Sequence, residues 1–324
     1  MIDILKNIKS AYKLVSDVAN ITPIMASRTL DSITEAKRVL VKCENFQRTG
    51  SFKFRGAWNC ISHIPKVERE KGIIAHSSGN FAQAVALVAT ILKIKATIVM
   101  PNNATPSKIQ ATRGYGAEVV LCGNLPGDRA EKAEELVKQH DYRLVHPFDD
   151  YHVIFGAGTT AFEFMNSIKP IDLLLVPIGG GGLISGCSIA AKGLDPRVKV
   201  IGIEPKNADD AFRSFQLGER VPVENPHTIA NGLRTSVGEK TFPIIQKYVD
   251  NIITVTEEQI IDAMKFYWER MKLIVEPSGA VPLAGLLFGN IEPSLIKGKR
   301  IGIIISGGNI DLSDFFATLK QKFN

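Results

Sequence analysis

Lys53 is the residue of this sequence with the clearest potential for covalent chemistry. It lies between Phe52 and Phe54, at the start of a helix predicted over 54–61 with Ser51 as its N-cap. A cation in the first turn faces the positive end of the helix dipole, and aromatic neighbours disfavour its charged form. A neutral lysine amine is a nucleophile. The residue could equally be a surface lysine whose stem lies along apolar neighbours, and the local sequence leaves both interpretations open.

Four consecutive glycines, Gly179–Gly182, follow a predicted apolar strand, Leu173–Val176, and precede a predicted helix, Leu183–Ala191. Free backbone N–H groups and the positive end of a helix suit a phosphate. Gly-Lys-Ser/Thr does not follow, which excludes a P-loop, and the G-x-G-x-x-G spacing also fails. Glu204, at the end of the next predicted strand, keeps a dinucleotide site as the alternative.

The elements around these residues indicate an α/β protein with parallel sheets. Strands and helices alternate over 72–149, and a second series covers 160–205 and 250–310. Polar glycine turns follow two further strands, at His76–Asn80 and at Ser306–Asn309. Because ligands of open α/β sheets bind at the carboxyl ends of strands, these turns are expected to face one site.

The composition excludes several classes of protein. The chain has 324 residues, of which 45% are hydrophobic, and no apolar run is long enough for a membrane span. The four cysteines are scattered without a Cys-x-x-Cys pair, which indicates reduced thiols and a cytoplasmic protein. A net charge of +6 without a basic block, with 7% aromatic residues, favours anionic small molecules over nucleic acid.

The motifs taken together resemble the fold-type-II pyridoxal-phosphate enzymes, which are tryptophan synthase β-like, and among them the serine racemase and threonine/serine dehydratase group. The resemblance implies an α/β fold with two open, mostly parallel sheets flanked by helices. It also implies a large cofactor-binding domain, 1–71 and 150–324, and a small mobile domain, 72–149. Six segments in chain order carry it: Gly50–Ala57, His76–Asn80, Gly179–Gly182, Glu204-Pro205, Glu276-Pro277 and Ser306–Asn309.

The family's site implies a role for each matching residue. Lys53 would carry pyridoxal 5'-phosphate as a Schiff base, with Phe52 beside the ring. The carboxylate of a small hydroxy-amino-acid substrate would lie on the turn at Ser77–Asn80, and Arg129 would grip the substrate. The remaining cofactor ligands would be Asn80 on the phenolic oxygen, Ser306 on the pyridine nitrogen, and Gly179, Gly180, Gly181, Gly182 and Leu183 on the phosphate.

Ser306 indicates which reaction the cofactor would favour. A neutral hydroxyl opposite the pyridine nitrogen leaves the ring a weak electron sink, which favours prompt loss of a β-leaving group. We therefore expect an ammonia-lyase that converts L-threonine or L-serine to a 2-oxo acid and ammonia. A nicotinamide-dependent oxidoreductase is disfavoured because the glycine fingerprint is missing.

Ser78 keeps serine racemase open as the alternative, alone or together with the lyase activity, and 3-hydroxyaspartate is a third possible substrate. Racemases of the family use a serine at this position as the second acid–base group, whereas threonine deaminases usually carry alanine. Ser78 could equally be a hydroxyl that binds a carboxylate or caps a helix. Phe81 replaces a usual histidine and Phe148 is similar to the deaminases, so both depart from the racemases.

The resemblance also implies a divalent cation, Mg²⁺, Ca²⁺ or Mn²⁺. Its ligands would be the carboxylates of Glu204 and Asp210 and the carbonyl oxygen of Ala208, a set of hard oxygen donors. The alternative for this segment is an acidic helix start at Asp209 and Asp210. A homodimer is expected by analogy, with neither nucleic acid nor membrane as a partner.

Overall fold

The computed structural model describes residues 4–77, 79–125, 127–168, 170–224, 226–313 and 315–317. Within these residues, ten strands form two sheets. Their bounds are β1 Ile24–Ala26, β2 Arg38–Cys43, β3 Ile73–His76, β4 Ala96–Pro101, β5 Glu118–Cys122, β6 Arg143–Leu144, β7 Leu173–Pro177, β8 Lys199–Pro205, β9 Asn251–Val255 and β10 Arg300–Ile305.

Thirteen α-helices are assigned within those residues. They are α1 Leu5–Val15, α2 Arg28–Thr34, α3 Lys53–His63, α4 Lys66–Arg69, α5 Asn80–Leu92, α6 Pro106–Gly114, α7 Asp128–His140, α8 Tyr151–Ser167, α9 Gly182–Leu194, α10 Asp210–Leu217, α11 Thr241–Tyr248, α12 Glu257–Phe266 and α13 Pro277–Phe288. No helix of the described ranges has both the length and the apolar character needed to cross a membrane.

The larger sheet has the order β1-β2-β10-β7-β8-β9 and is parallel except for β1, which pairs antiparallel with β2. The smaller sheet, β5-β4-β3-β6, is parallel throughout. All strands of the smaller sheet fall within 72–149, and all strands of the larger sheet fall outside it. This arrangement confirms the predicted α/β fold with two mostly parallel sheets, while the mobility of the 72–149 unit stays a prediction.

Side chains of the larger sheet alternate between two cores. Leu173 and Leu175 face the core that contains α12 and α13, whereas Leu174 and Val176 face the core with α8 and α9. A parallel strand covered on both faces is expected to be continuously apolar, as β7 is. Helices α8 and α9 can approach closely because Gly186 has no side chain. A Cβ at this position would lie 2.2 Å from the Ile154 carbonyl oxygen.

Two local predictions differ from the structure at the start of α3. The helix begins at Lys53, one residue earlier than predicted, and Ser51 is not its N-cap. The helix is preceded by Phe52, and Ser51 instead forms a bridge with Gly307, which places its hydroxyl in the interior without a hydrogen-bond partner. The predicted N-cap is therefore wrong, because a long-range backbone pairing takes precedence over local capping. A last helix predicted over 312–323 lies mostly outside the described residues.

Candidate active site

One cavity of about 360 Å³ brings together most of the predicted site residues. It lies between the two sheets and receives the carboxyl ends of β3, β7 and β10, as the turn motifs predict. Ser78 lies outside the described residues. The predicted residues that line the cavity are Phe52, Lys53, Ser77, Gly79, Asn80, Arg129, Gly179, Gly180, Gly181, Gly182, Leu183 and Ser306.

Lys53 is the first residue of α3. Its amine is held at the cavity by a backbone carbonyl and by two aromatic rings. Its Nζ donates a hydrogen bond to the Pro147 carbonyl oxygen at 3.1 Å. It lies 5.1 Å from the ring centre of Phe52 and 5.6 Å from that of Phe81. Burial lowers the pKa of Lys53 from 10.5 to about 8, against the opposing charge of Glu276. The amine is therefore partly neutral near neutral pH.

The glycine loop, 179–182, is closely packed, and a Cβ would clash at its two central positions. A Cβ on Gly180 would lie 2.4 Å from the Phe148 ring, and one on Gly181 would lie 2.8 Å from Thr241. Gly181 also has a φ of +88°, which favours glycine. Helix α9 begins at Gly182, and its first N–H groups have no acceptor within the helix. The loop and this helix end together form an anion cradle.

Asn80, at the start of α5, connects the two sheets through its amide. Its Nδ2 donates to Glu276 Oε1 at 2.8 Å, and its Oδ1 accepts from Asn309 Nδ2 at 2.9 Å. Asn309 also donates to the Thr49 carbonyl oxygen at 2.6 Å. The amide is therefore held in one orientation, with its second N–H hydrogen available for a ligand.

Comparisons with known proteins agree with this geometry. The family model for pyridoxal-phosphate dependent enzymes matches residues 15–307. The chain belongs to this family.

Three relatives show how close the similarity is. An L-threo-3-hydroxyaspartate ammonia-lyase of Pseudomonas sp is 44% identical over 314 residues, covering 97% of each chain. An L-threonine ammonia-lyase of Thermotoga maritima is 43% identical over 310 residues, covering 95% of this chain and 76% of the relative. The structure of maize serine racemase superimposes with a TM-score of 0.93 at 36% identity, covering 98% of this chain and 97% of that one.

The cavity fits the cofactor of the family. The glycine loop supplies backbone donors for a phosphate, and Lys53 supplies an amine whose pKa is lowered to about 8. Ser306 follows β10 and is almost fully buried, while its carbonyl oxygen accepts the Phe52 N–H at 3.0 Å. A neutral hydroxyl and an activated amine thus lie in the same cavity as the anion cradle.

Arg129 marks the side of the cavity that the smaller sheet forms. It is the second residue of α7, where a cation again faces the positive end of a helix dipole. The neighbouring histidines contribute little positive charge. Burial and the Arg129 charge lower the pKa of His76, and burial and the nearby His76 lower the pKa of His146 to about 4. Arg129 and Lys108 are the lysine and arginine residues that line this side of the described cavity wall.

Glu276 and the segment 146–149 are features of the site that the sequence motifs only partly revealed. Glu276 belongs to a quoted motif, but its contact with Asn80 and its burial, which raises its pKa to about 7, are seen only in the structure. His146 Nδ1 accepts the N–H of Asp149 at 2.8 Å, which fixes the turn that carries Pro147 and Phe148. A His-Pro-Phe-Asp run directly before a helix is the only local signal for this turn.

A buried charge cluster of two cations and two anions fixes α3 behind Lys53. Arg55 donates to Glu44 at 2.8 Å and to Glu163 at 3.0 Å, and Lys42 also pairs with Glu163. All four side chains are at most 3% exposed. The cluster joins β2, α3 and α8, so the amine of Lys53 extends from a rigid base.

The predicted cation ligands lie outside the cavity. Glu204 accepts the N–H groups of Ala211 and Phe212 and so caps α10. Asp210 accepts the Val237 N–H at 2.8 Å through Oδ2, while its Oδ1 is buried without a partner. Across the described chain, no group of three or more histidine, cysteine, aspartate or glutamate side chains is arranged to hold a metal ion. Glu204 is fully buried and does not line the cavity, so the dinucleotide alternative loses its ribose ligand.

Proposed function

We propose that this protein is a pyridoxal-phosphate-dependent ammonia-lyase that deaminates L-threonine and L-serine to a 2-oxo acid and ammonia. The observation that carries the proposal is the Lys53 amine, with a pKa of about 8, in one cavity with the glycine loop and Arg129. Relatives that are threonine and hydroxyaspartate ammonia-lyases support the reaction type.

The cofactor ligands follow from the walls of the cavity. Lys53 would hold pyridoxal phosphate covalently, and Phe52 would pack beside the ring. Asn80 would donate its free N–H to the ring oxygen, and the Ser306 hydroxyl would face the ring nitrogen. The glycine loop and the N–H of Leu183 would bind the phosphate.

The substrate lies on the side formed by the smaller sheet. The turn at Ser77, Ser78, Gly79 and Asn80 binds its carboxylate, and Arg129 supplies the opposite charge. Ser77 Oγ accepts the Gly79 N–H at 3.4 Å, which shapes the described part of the turn. Phe81, buried beside Lys53, limits water near the amine.

The cofactor, when bound, withdraws electrons from the substrate Cα. Lys53, as a neutral amine once the substrate has taken its place, removes the Cα proton. Ser306 is not charged and keeps this electron withdrawal modest, which favours prompt loss of the β-hydroxyl. The proton taken up by Lys53 leaves with this hydroxyl as water, and hydrolysis of the released enamine gives the 2-oxo acid and ammonia. The aromatic rings around Lys53 exclude water from its proton during this step.

Replacement of Lys53 tests the proposal. The purified protein should be yellow, and borohydride should bleach it and fix the cofactor to the peptide that contains Lys53. Lys53→Ala should lose both the attachment and the release of 2-oxo acid, while the exposed-lysine variant Lys66→Ala keeps both. Full turnover by Lys53→Ala would overturn the assignment.

Serine racemase is the second candidate, favoured by the similarity to maize serine racemase and by Ser78. A third is 3-hydroxyaspartate dehydratase. It is favoured by Arg129 and Lys108, two basic residues of the cavity wall that suit the second carboxylate of this substrate. Chiral analysis of products from L-serine, with 2-oxo acid release from serine, threonine and 3-hydroxyaspartate, distinguishes the three. Faster formation of D-serine than of pyruvate would make the racemase the main activity.

We also propose that a divalent cation, Mg²⁺, Ca²⁺ or Mn²⁺, binds Glu204, Asp210 and the carbonyl oxygen of Ala208. The buried, unpartnered Oδ1 of Asp210 supports this ligand set. Burial and the Asp210 charge raise the pKa of Glu204, and burial raises that of Asp210 to about 7. A cation should raise the melting temperature of the wild type but not that of Asp210→Ala. Equal melting with cation and with chelator would refute the site.

A cytoplasmic homodimer completes the proposal. Three apolar side chains, Ile21, Phe46 and Ile274, are 74%, 49% and 57% exposed. Asn20 donates to the Phe46 carbonyl and Asn45 to the Ile274 carbonyl, so the three segments that carry them lie next to one another. Phe46→Asp should shift the sedimentation coefficient from dimer to monomer, and a monomeric wild type would refute the dimer. The four free cysteines support a reducing compartment.

A further inference from the structure

Thr241, the first residue of α11, lies directly behind the glycine loop. Its side chain is fully buried, and its hydroxyl donates to the Gly180 carbonyl oxygen at 2.8 Å. The same Oγ1 accepts the Gly238 N–H at 2.8 Å. A hydroxyl has one hydrogen, and the Gly180 oxygen at 2.8 Å is a closer acceptor for it than the Gly238 oxygen at 3.4 Å, so the hydrogen is directed at Gly180.

The bond to Gly180 determines which way the next peptide group points. The C=O and N–H of one planar trans peptide point in opposite directions. With the Gly180 carbonyl turned toward Thr241, the N–H of Gly181 points away from Thr241. The loop lines the cavity on that other side, so the N–H is directed at the anion cradle.

Asp149 holds Thr241 in place. Its Oδ1 accepts the N–H groups of Lys240 at 2.8 Å and Thr241 at 3.2 Å, and its Oδ2 accepts that of Glu239 at 3.1 Å. These bonds cap α11 from the segment that also carries Pro147. The position of Thr241 is thus set by a charged cap rather than by packing alone.

We propose that Thr241 is a positioning residue for phosphate binding, acting through the Gly180–Gly181 peptide, with Asp149 as its support. This inference rests on the proposed function, because it takes the glycine loop as the phosphate site. Without the hydroxyl, the Gly180 carbonyl loses its 2.8 Å donor and keeps only the 3.4 Å bond from the Gly238 N–H, so the peptide can turn its oxygen toward the phosphate more easily. Loss of the hydroxyl is therefore expected to weaken binding of the phosphate group and not binding of the cofactor ring.

The test compares the affinity of the apoprotein for pyridoxal 5'-phosphate and for pyridoxal, which lacks the phosphate. Thr241→Val, which keeps the shape of the side chain, should weaken pyridoxal-phosphate binding roughly three- to tenfold, the effect of one hydrogen bond. Binding of pyridoxal should not change, and Thr241→Ser should restore the phosphate preference. Thr112→Val is the matched control, because Thr112 is also fully buried and donates to a backbone carbonyl, that of Lys108, at 2.9 Å.

The outcomes separate the inference from the proposed function. A wild type that binds pyridoxal as tightly as pyridoxal phosphate would remove the phosphate site itself. A wild type with a strong preference that Thr241→Val retains would overturn only the role of Thr241, as would an equal loss for both ligands. Should Thr241→Val fail to fold, Asp149→Ala provides the same comparison and should also lose phosphate preference.

Discussion

The amine of Lys53 donates a 3.1 Å hydrogen bond to the carbonyl oxygen of Pro147, which belongs to the segment that connects the smaller sheet to α8. Phe148, the next residue, packs against Gly180. The lysine and the glycine loop, which are 126 positions apart in sequence, therefore both contact the segment 147–148. This short segment sets the distance between the amine and the anion cradle.

The pKa of Lys53 predicts the pH dependence of cofactor attachment. Because burial lowers it from 10.5 to about 8, the reactive neutral amine should fall about tenfold for each pH unit below 8 and reach a plateau above it. Stopped-flow absorbance of apoprotein mixed with pyridoxal phosphate, from about pH 6 to about pH 10, measures the rate of cofactor attachment. A rate that still climbs steeply near the ordinary lysine pKa would contradict the burial of the amine.

Glu276 predicts a change of stability with pH. Burial raises its pKa from 4.5 to about 7, so between these values the folded chain holds a proton that the unfolded chain has released. Its contribution to stability is therefore lost as pH rises, by about 3 kcal/mol in all.

The apoprotein tests this sign directly. Glu276→Gln keeps an acceptor for Asn80 but cannot ionise, so its stability relative to wild type should increase with pH over that range. Denaturant unfolding at several pH values measures the difference, and the exposed Glu269→Gln is the control. A constant difference between wild type and Glu276→Gln would disprove the linkage.

The buried charge cluster predicts a large loss of stability when one member is removed. Arg55→Met leaves the carboxylates of Glu44 and Glu163 with only Lys42 and should lower the free energy of unfolding by about 3–5 kcal/mol. The control is Arg38→Met, which removes the partly exposed pair with Asp31 and should cost about 0–1 kcal/mol. Equal losses in urea unfolding would mean that burial of the cluster adds nothing.

Gly180 predicts a steric effect that a second substitution relieves. Gly180→Ala places a methyl group 2.4 Å from the Phe148 ring and should destabilise the fold by about 1–3 kcal/mol. Gly114→Ala, where no atom outside the local helix backbone lies within 4 Å of the added Cβ, should be neutral or stabilising by up to about 1 kcal/mol. Thermal unfolding of both variants, and of Gly180→Ala in the Phe148→Ala background against Phe148→Ala alone, measures this. An undiminished loss in that background would show that the clash is not the cause.

Much of the fold follows from local patterns in the sequence. The strand predicted over Leu173–Val176 and the helix predicted over Leu183–Ala191 lie within β7 and α9, which extend them by at most three residues at either end. Both segments are apolar, and both adjoin the run of four glycines. The glycine loop was also predictable, because four glycines between an apolar strand and an apolar helix have few other uses.

Contacts between distant segments could not be predicted in the same way. The Ser51 bridge to Gly307 joins residues 256 positions apart, and it replaced the capping role that the local sequence favoured. Thr241 and Asp149 carry no motif, since an ordinary helix start and an ordinary turn have the same residues. Their importance arises only when folding brings α11 behind the loop.

The cavity walls differ in origin, and this has an evolutionary consequence. Asn80, Phe81 and Arg129 come from the segment that builds the smaller sheet, 72–149, whereas the glycine loop and Ser306 come from the rest of the chain. Under the proposed function, mutations on the first wall can change which substrate binds, while the cofactor site on the opposite wall stays unchanged. This separation explains how proteins that descend from one ancestor could acquire different substrates and keep the same reaction chemistry.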